Sequence, residues 1–363
     1  MLCYNVHHVA CYGHRVVLCY GDNMKRSQAV DTLRVLAILG VILIHVTSRS
    51  LALGYYDIVG MPWTFFWERF GRFSVVLFFI ISGYVLALRH KGSIDVKQFF
   101  LKRAIRLLVP YVIWCLIYAI YNYKSHLMGF SFNRIFDGSF SIQLYFIPVL
   151  FLLNVSFPFI KRIRFTKKVF LVYSFVEFFL LTVEYFHPIA LYSTLKIALF
   201  SAYPFVIGML TASYQDRVVT GSWNYRYYLI GLLVVFLYAL YQSTFYLFLP
   251  HRDIPYIGSQ LQPLIFIYGI LVWLIALPFF QKHTIPFVPA LSRLIFFVFF
   301  VHPLVLNLFW KIKGSYLYSL TQSHILYTWW YTPCVFLFVV IGSFGIGFAL
   351  QRLPKINSIV GIS

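Results

Sequence analysis

Acidic side chains are scarce in this sequence, which has 10 Asp and Glu residues against 30 Lys and Arg residues in a chain of 363. Charged residues of both signs make up only 11% of the chain, whereas 61% of it is hydrophobic. A soluble globular domain and a disordered chain both need more polar surface than this, so the composition excludes both classes. It predicts an integral membrane protein.

Cysteine is also rare, and the pattern of the five residues excludes a disulfide framework. Cys3, Cys11 and Cys19 lie close to the start, while Cys115 and Cys334 are isolated in apolar segments. The first three do not have the spacing of zinc ligands, and we expect no metal site. The leader, residues 1–28, is expected to be disordered or an artefact of start-site choice, with Met24 as the true beginning.

The net charge of +20 raises the question of nucleic-acid binding. Nucleic-acid binding requires a basic face on a soluble surface, but the basic residues here form short clusters between apolar runs. We therefore expect no nucleic-acid partner and interpret the clusters as signals of membrane topology.

Long apolar runs recur along the whole chain, and a helix needs about 20 such residues to cross the bilayer core. The runs are continuous, whereas barrel strands would alternate apolar and polar residues. The sequence therefore predicts an all-α membrane domain over residues 29–350, with about ten transmembrane helices and no soluble domain, followed by a short tail at 351–363. The predicted spans lie near 30–50, 71–89, 107–123, 144–160, 169–185, 197–213, 227–249, 261–280, 289–310 and 331–350.

The distribution of basic residues predicts which side of the membrane each connection faces. Dense clusters at 25–26, 89–106 and 161–168 all fall on the side of the N-terminus. Cytoplasmic connections carry the excess of Lys and Arg, so both termini are expected in the cytoplasm. Arg69 and Arg72 are assigned to the opposite, outer side.

The segment "DTLRVLAILGVILIH" carries two ionisable residues in a span that should be apolar. Arg34 and His45 are eleven positions apart, which at about 100° per residue brings them to nearly the same helix face, roughly 16 Å apart along the axis. Ionisable residues inside membranes usually mark a pathway or a reaction, and an imidazole transfers protons near neutral pH. The alternative is that Arg34 reaches the headgroups and His45 bonds to a neighbouring helix.

Other segments each allow a functional and a structural interpretation. In "VVLFFIISGYVL", Ser82 and Gly83 offer a hydroxyl and a narrow helix surface for a slim substrate, or simply a place for close helix packing. In "FFLKRAIRLLVPY", Arg103 and Arg106 lie one turn apart at a helix start, where they could bind phosphates or anchor the cytoplasmic end. In "FFVFFVHPLVL", His302 is a second intramembrane histidine or a satisfied polar residue of the core.

Together these segments resemble acyltransferase family 3, whose members are bacterial integral-membrane enzymes that O-acylate surface polysaccharides and other glycans. The resemblance covers roughly residues 29–350. It is carried by five segments in this order: "DTLRVLAILGVILIH", "VVLFFIISGYVL", "FFLKRAIRLLVPY", "QLYFIPVLFLL" and "FFVFFVHPLVL".

The resemblance implies an acyltransferase that transfers groups other than amino-acyl groups, in the cell membrane, with membrane lipid around it. The donor would be acyl-coenzyme A, in the first place acetyl-coenzyme A, with no permanently bound cofactor. The acceptor would be a hydroxyl of a glycan or lipid-linked sugar, such as an exopolysaccharide or wall polysaccharide. By resemblance, His45, Arg34 and Ser82 are the catalytic residues, and Arg103, Arg106 and again Arg34 bind the donor.

Two other classes of function remain open at this point. A proton-coupled transporter or polysaccharide exporter would use His45 and His302 in a proton relay. Such transporters often have two similar halves, but the second half of this sequence contains no segment similar to the Arg34–His45 segment. A structural partner of a polysaccharide synthase would need neither residue.

Overall fold

The computed structural model describes residues 27–52, 61–122, 134–135, 138–214, 225–247, 261–316, 330–353 and 360–362. Across these ranges every regular element is a helix and no strand is present. The predicted all-α class is therefore confirmed. Residues 1–26 of the expected leader, and residues 354–359 and 363 of the expected tail, lie outside the described ranges.

The helices follow the apolar runs of the sequence closely. A short 3₁₀ segment, Ile142–Tyr145, leads directly into the fifth α-helix. The α-helices are α1 Gln28–Ala52, α2 Met61–Gly71, α3 Phe73–Arg89, α4 Val96–Asn122, α5 Phe146–Ile160, α6 Lys167–Phe186, α7 Ser193–Ser213, α8 Tyr225–Leu247, α9 Pro263–Lys282, α10 Val288–Ser292, α11 Ile295–Tyr316 and α12 Tyr331–Leu350.

Eight stretches of the described chain are long and apolar enough to cross a membrane, which makes this a multi-pass membrane protein. The two other predicted spans fall on α8 and α11, whose apolar portions, Tyr228–Tyr238 and Ile295–Lys311, are shorter. The second span starts earlier than the sequence predicts, because α2 and α3 form one stretch, Trp63–Arg89. This stretch includes Arg69 and Arg72 within the membrane-spanning segment.

Helix α1 is the central element of the fold, since it packs against α2, α3, α9, α10, α11 and α12. Its middle part, residues 35–44, has no polar side chain on any face, as expected for a helix surrounded by other helices. Leu33, Ile38 and Ile42 are completely buried. The central position of α1 places His45 inside the bundle rather than at the lipid boundary.

Two sets of contacts define the register of α1 with its neighbours. Gly40 lies against Gly71 and Ser74, so α1 runs antiparallel to the α2–α3 stretch. The Gln28 side-chain amide donates to the Ile285 carbonyl, 257 positions away, just before α10. His45 and His302, which are in contact, are also 257 positions apart in the sequence. Two contacts with the same separation show that α1 and the α10–α11 segment run parallel in constant register.

Helices α3 and α7 make the closest helix crossing through a pair of glycines. A Cβ atom added to Gly83 would collide with the carbonyl of Phe205, and one added to Gly208 would collide with the carbonyl of Ile80. Only hydrogen atoms fit between the two backbones, as is common where membrane helices pack through small residues. The narrow surface at Gly83 is therefore covered by α7, which favours the packing interpretation of this glycine.

Candidate functional site

The structure brings the two intramembrane histidines together. The ring of His45 on α1 and the ring of His302 on α11 have centroids 5.1 Å apart and planes inclined by 49°. His302 is almost fully buried, with 1% of its surface exposed, whereas His45 remains partly accessible. His45 is therefore the more accessible member of the pair, and His302 belongs to the protein interior.

Hydrogen bonding fixes the tautomer of neutral His302. Its Nδ1 atom lies 3.0 Å from the Val298 carbonyl oxygen. A carbonyl only accepts, so the proton of the neutral ring must be on Nδ1, and Nε2 carries a lone pair. Within the described residues, this buried Nε2 atom has no hydrogen-bond partner.

A buried charged cluster lies on the α2–α3 stretch. Glu68, Arg69 and Arg72 are only 2%, 4% and 8% exposed. Arg72 donates through Nε to Glu68 Oε1 at 2.5 Å, and Arg69 Nε lies 3.5 Å from Glu68 Oε2. Arg69 also donates through Nη1 to Gln262 Oε1 at 3.2 Å, which links the cluster to α9. The cluster therefore places two guanidinium groups and one carboxylate in the protein interior.

The sequence analysis assigned Arg69 and Arg72 to the outer side of the membrane and placed Arg69 before the second span, whereas the structure includes both in the stretch Trp63–Arg89. Both side chains lie in the packed interior because Glu68 compensates part of their charge there. The signal for this arrangement was the segment "WERFGR", in which an acid precedes an arginine by four positions and so shares its helix face.

The charged cluster lies at the depth of His45. Gly40 faces Gly71 and Ser74, so His45, five positions further along an antiparallel helix, is level with about residue 69. The charge of Arg72 is within electrostatic reach of the His45 ring. His45 thus has a second imidazole as one neighbour and a buried guanidinium as another.

Arg34 lies near the N-terminal end of α1 and does not contact His45. Its Nη1 atom is 3.3 Å from Oδ1 of Asp31, which is buried. A separation of eleven positions in one continuous helix keeps Arg34 and His45 about 16 Å apart along the axis. Any contribution of Arg34 to catalysis therefore acts at the N-terminal end of α1, away from the imidazoles.

Ser82 is also distant from the histidine pair. It lies eight positions beyond Ser74, towards the C-terminal end of α3, while His45 lies five positions beyond Gly40 in the opposite direction. The offset is about 20 Å along the helix axes. The catalytic role assigned to Ser82 by resemblance stays a prediction, and the structure does not bring Ser82 to His45.

A second polar site forms where the end of α3, the start of α4 and the end of α5 meet. The Arg103 guanidinium lies 5.2 Å from the centre of the Phe99 ring, and the His90 ring centroid is also 5.2 Å from that ring. Lys161 donates to the backbone carbonyls of His90 and Gly92, at 2.5 and 2.6 Å. We call Arg89, His90, Arg103, Arg106 and Lys161 the basic cluster.

Both predicted donor-binding arginines belong to the basic cluster, which gathers positive charge from three helices. Arg103 is half-buried, and Arg106, one turn further along α4, is exposed. The pKa of His90 lies below its usual value, first because the ring is partly buried and then because Arg103, Lys161 and Arg89 are positively charged. An imidazole held neutral among cations indicates a site that an anion would complement.

This shift predicts that anion binding to the basic cluster depends on pH. A bound phosphate group offsets the cations around His90 and raises its pKa, so binding takes up a proton and affinity increases as the pH falls from about 7.5 to 5.5. Titrations of desulfo-coenzyme A against purified protein at several pH values measure this dependence. The ligand phosphates titrate in the same range, so the His90→Gln variant is the reference, and identical pH profiles for the two proteins would contradict the prediction.

Comparison with protein families identifies the family of this chain. A family model described as an acyltransferase domain matches residues 27–348. The matched range contains both histidines, the charged cluster and the basic cluster. No curated protein and no solved structure matches the chain.

Proposed function

Because the chain belongs to acyltransferase family 3, with residues 27–348 matching the family's acyltransferase domain, we propose that it transfers an acyl group from cytoplasmic acyl-coenzyme A to a glycan hydroxyl. The protein is a multi-pass membrane enzyme of the acyltransferase class. In this proposal the donor is acetyl-coenzyme A, and the acceptor is a surface polysaccharide or lipid-linked sugar at the outer face. The observation that carries the proposal is the pair of polar sites at two depths of one helical bundle.

The basic cluster supports the donor end of the proposal. Coenzyme A carries phosphate groups, and guanidinium groups bind phosphates through paired, charge-assisted hydrogen bonds. Arg103 and Arg106 project from neighbouring turns of α4, and Lys161 ties the adjoining loop to α5. In the proposed complex the nucleotide stays at the cytoplasmic mouth, because its charge opposes entry into the membrane interior.

The distance between the two sites suits a donor with a long, slim arm. Tyr118 on α4 donates to the Phe300 carbonyl on α11, so His302 is level with about residue 120 of α4. Arg103 and Arg106 are then about 20 to 25 Å from the histidine pair along the helix axes. The pantetheine arm of coenzyme A would bridge this distance and bring the thioester to His45.

The reaction at this depth requires one proton acceptor. His45 takes the proton of the acceptor hydroxyl while the oxygen attacks the thioester carbonyl, and the carbon–sulfur bond breaks as the new ester forms. The imidazolium then returns the proton to the coenzyme A thiolate. The buried guanidinium groups of Arg69 and Arg72, at the depth of His45, stabilise the negative charge that develops on the carbonyl oxygen.

A reconstitution experiment distinguishes this enzyme from a proton-coupled transporter, which would also use a histidine pair. Purified protein is placed in liposomes, and its orientation is determined by impermeant thiol labelling of a single cysteine at Lys168 after removal of the native cysteines. Labelled acetyl-coenzyme A is added on the side of the basic cluster, and envelope glycan on the other. We expect the label to appear on the glycan while the nucleotide stays on its own side; transport of an intact solute with the thioester unchanged would overturn the proposal.

The donor site has a matched control in the same assay. The double change Arg103→Ala and Arg106→Ala is expected to raise the KM for acetyl-coenzyme A at least about 10-fold, the cost of losing one charge-assisted contact. Arg162 and Arg164, which are exposed between α5 and α6, provide a control pair of arginines outside the basic cluster. Their alanine variants should keep the wild-type KM, and an equal rise in both double variants would indicate a general charge effect instead.

A further inference from the structure

His302 has the features of a group that holds a partner in place. Its ring is buried, its Nδ1 proton is committed to the Val298 carbonyl, and its Nε2 lone pair has no partner among the described residues. Burying a hydrogen-bond acceptor without a donor is costly, so such an atom usually has a use. The nearest ring with a donor to offer belongs to His45.

The two rings are close enough for a direct hydrogen bond. Their centroids are 5.1 Å apart, and each ring nitrogen lies outside the centroid of its own ring. A small rotation of the His45 side chain therefore brings one of its nitrogens to His302 Nε2. Rotation is less restricted for His45, whose side chain is partly accessible, than for His302, which is buried and bonded to its own helix.

We propose that His302 is the positioning residue of the catalytic base: its Nε2 atom accepts the N–H of His45 and leaves the other His45 nitrogen free to take the acceptor proton. This inference rests on the proposed function, since it assigns the partner of the base in that reaction. The proton balance is simple: His302 keeps its Nδ1 proton throughout, and only His45 gains and then releases a proton. A base fixed in one tautomer by a third group is a recurrent arrangement in nucleophilic catalysis.

Two substitutions separate positioning from packing. His302→Leu fills much of the same space without an acceptor, and it should lower kcat about 10- to 100-fold, the usual loss when an orienting partner is removed. The KM for acetyl-coenzyme A should not change, because the basic cluster is untouched. His302→Gln places an amide oxygen near the position of Nε2. It should recover at least half of the decrease in log kcat that the Leu variant shows. Equal kcat values for wild type and a folded Leu variant, or a folded Gln variant no better than Leu, would overturn the inference.

A second measurement does not depend on acyl transfer. Solid-state ¹⁵N NMR of histidine-labelled protein reports which ring nitrogen is protonated, and the His45 signal is identified by its loss in His45→Gln. We expect one His45 tautomer in wild type and a mixture in His302→Leu. If wild type transferred no acyl group but retained one tautomer, the proposed function would fail and the histidine pairing would stand. If wild type were active but its His45 ring were a mixture of tautomers, the histidine pairing would fail and the proposed function would stand.

Discussion

Replacing His45 with alanine is expected to abolish measurable acyl transfer while the protein remains folded in the membrane. General base catalysis by a positioned side chain contributes about 10²- to 10⁴-fold to a rate, and this contribution is lost with the imidazole. The measurement is release of free coenzyme A from acetyl-coenzyme A in the presence of the glycan acceptor. Donor affinity should be nearly unchanged, because the basic cluster lies about 20 to 25 Å away.

The His45→Gln variant makes this prediction sharper. Glutamine keeps a hydrogen-bonding group of similar length but has no useful base, so it should be as inactive as alanine. His283→Gln is the matched control, since His283 is an exposed histidine at the end of α9 and is not part of either site. Wild-type turnover in a well-folded His45→Gln variant would remove His45 from the mechanism.

The second large effect is expected on stability, from Glu68→Ala. This change removes the carboxylate that compensates Arg69 and Arg72 and leaves two guanidinium groups buried in the membrane interior. Breaking a buried ion pair by removing one partner typically costs about 3–5 kcal/mol, because the remaining charge stays desolvated without the contact that was removed. We expect a sharply lower yield of folded protein and a lower Tm in detergent.

Glu184→Ala is the control variant, because it also removes a glutamate side chain that takes part in an ion pair. Glu184 bonds Lys196 at 2.7 Å near the end of α6, where the lysine is partly exposed to solvent and can be rehydrated. Its loss should lower Tm much less than the loss of Glu68. Equal thermal midpoints for wild type and Glu68→Ala would show that the buried cluster does not hold α2 and α3 in place.

The positions of the helices could be predicted from the sequence because crossing a bilayer imposes a length and an apolar composition on each segment. Each of the ten predicted runs falls on a helix of the structure. The shared face of Arg34 and His45 also follows from local periodicity. The pairing of His45 with His302 could not be predicted in this way, because the two residues are 257 positions apart and local sequence patterns do not indicate which helices become neighbours.

The buried cluster around Glu68 was missed for a different reason. Hydropathy treats each charged residue as a marker of the end of a span, and so the predicted span started at residue 71. The desolvation cost of Arg72 is reduced by the carboxylate one turn earlier, an effect that depends on a pair rather than on single residues. The spacing of Glu68 and Arg72 contains this information, but a hydropathy average does not.

The glycine contact between α3 and α7 has a mechanical consequence. With backbone against backbone at Gly83 and Gly208, neither helix can slide by one residue without driving a side chain into the facing carbonyl. The two helices therefore form a stiff wall on one side of α1. The start of α4 is different, since Leu101, Ile105 and Val109 project from the bundle with no such lock. If the basic cluster admits a donor molecule, we expect the movement on the α4 side, with the α3–α7 wall as the fixed frame.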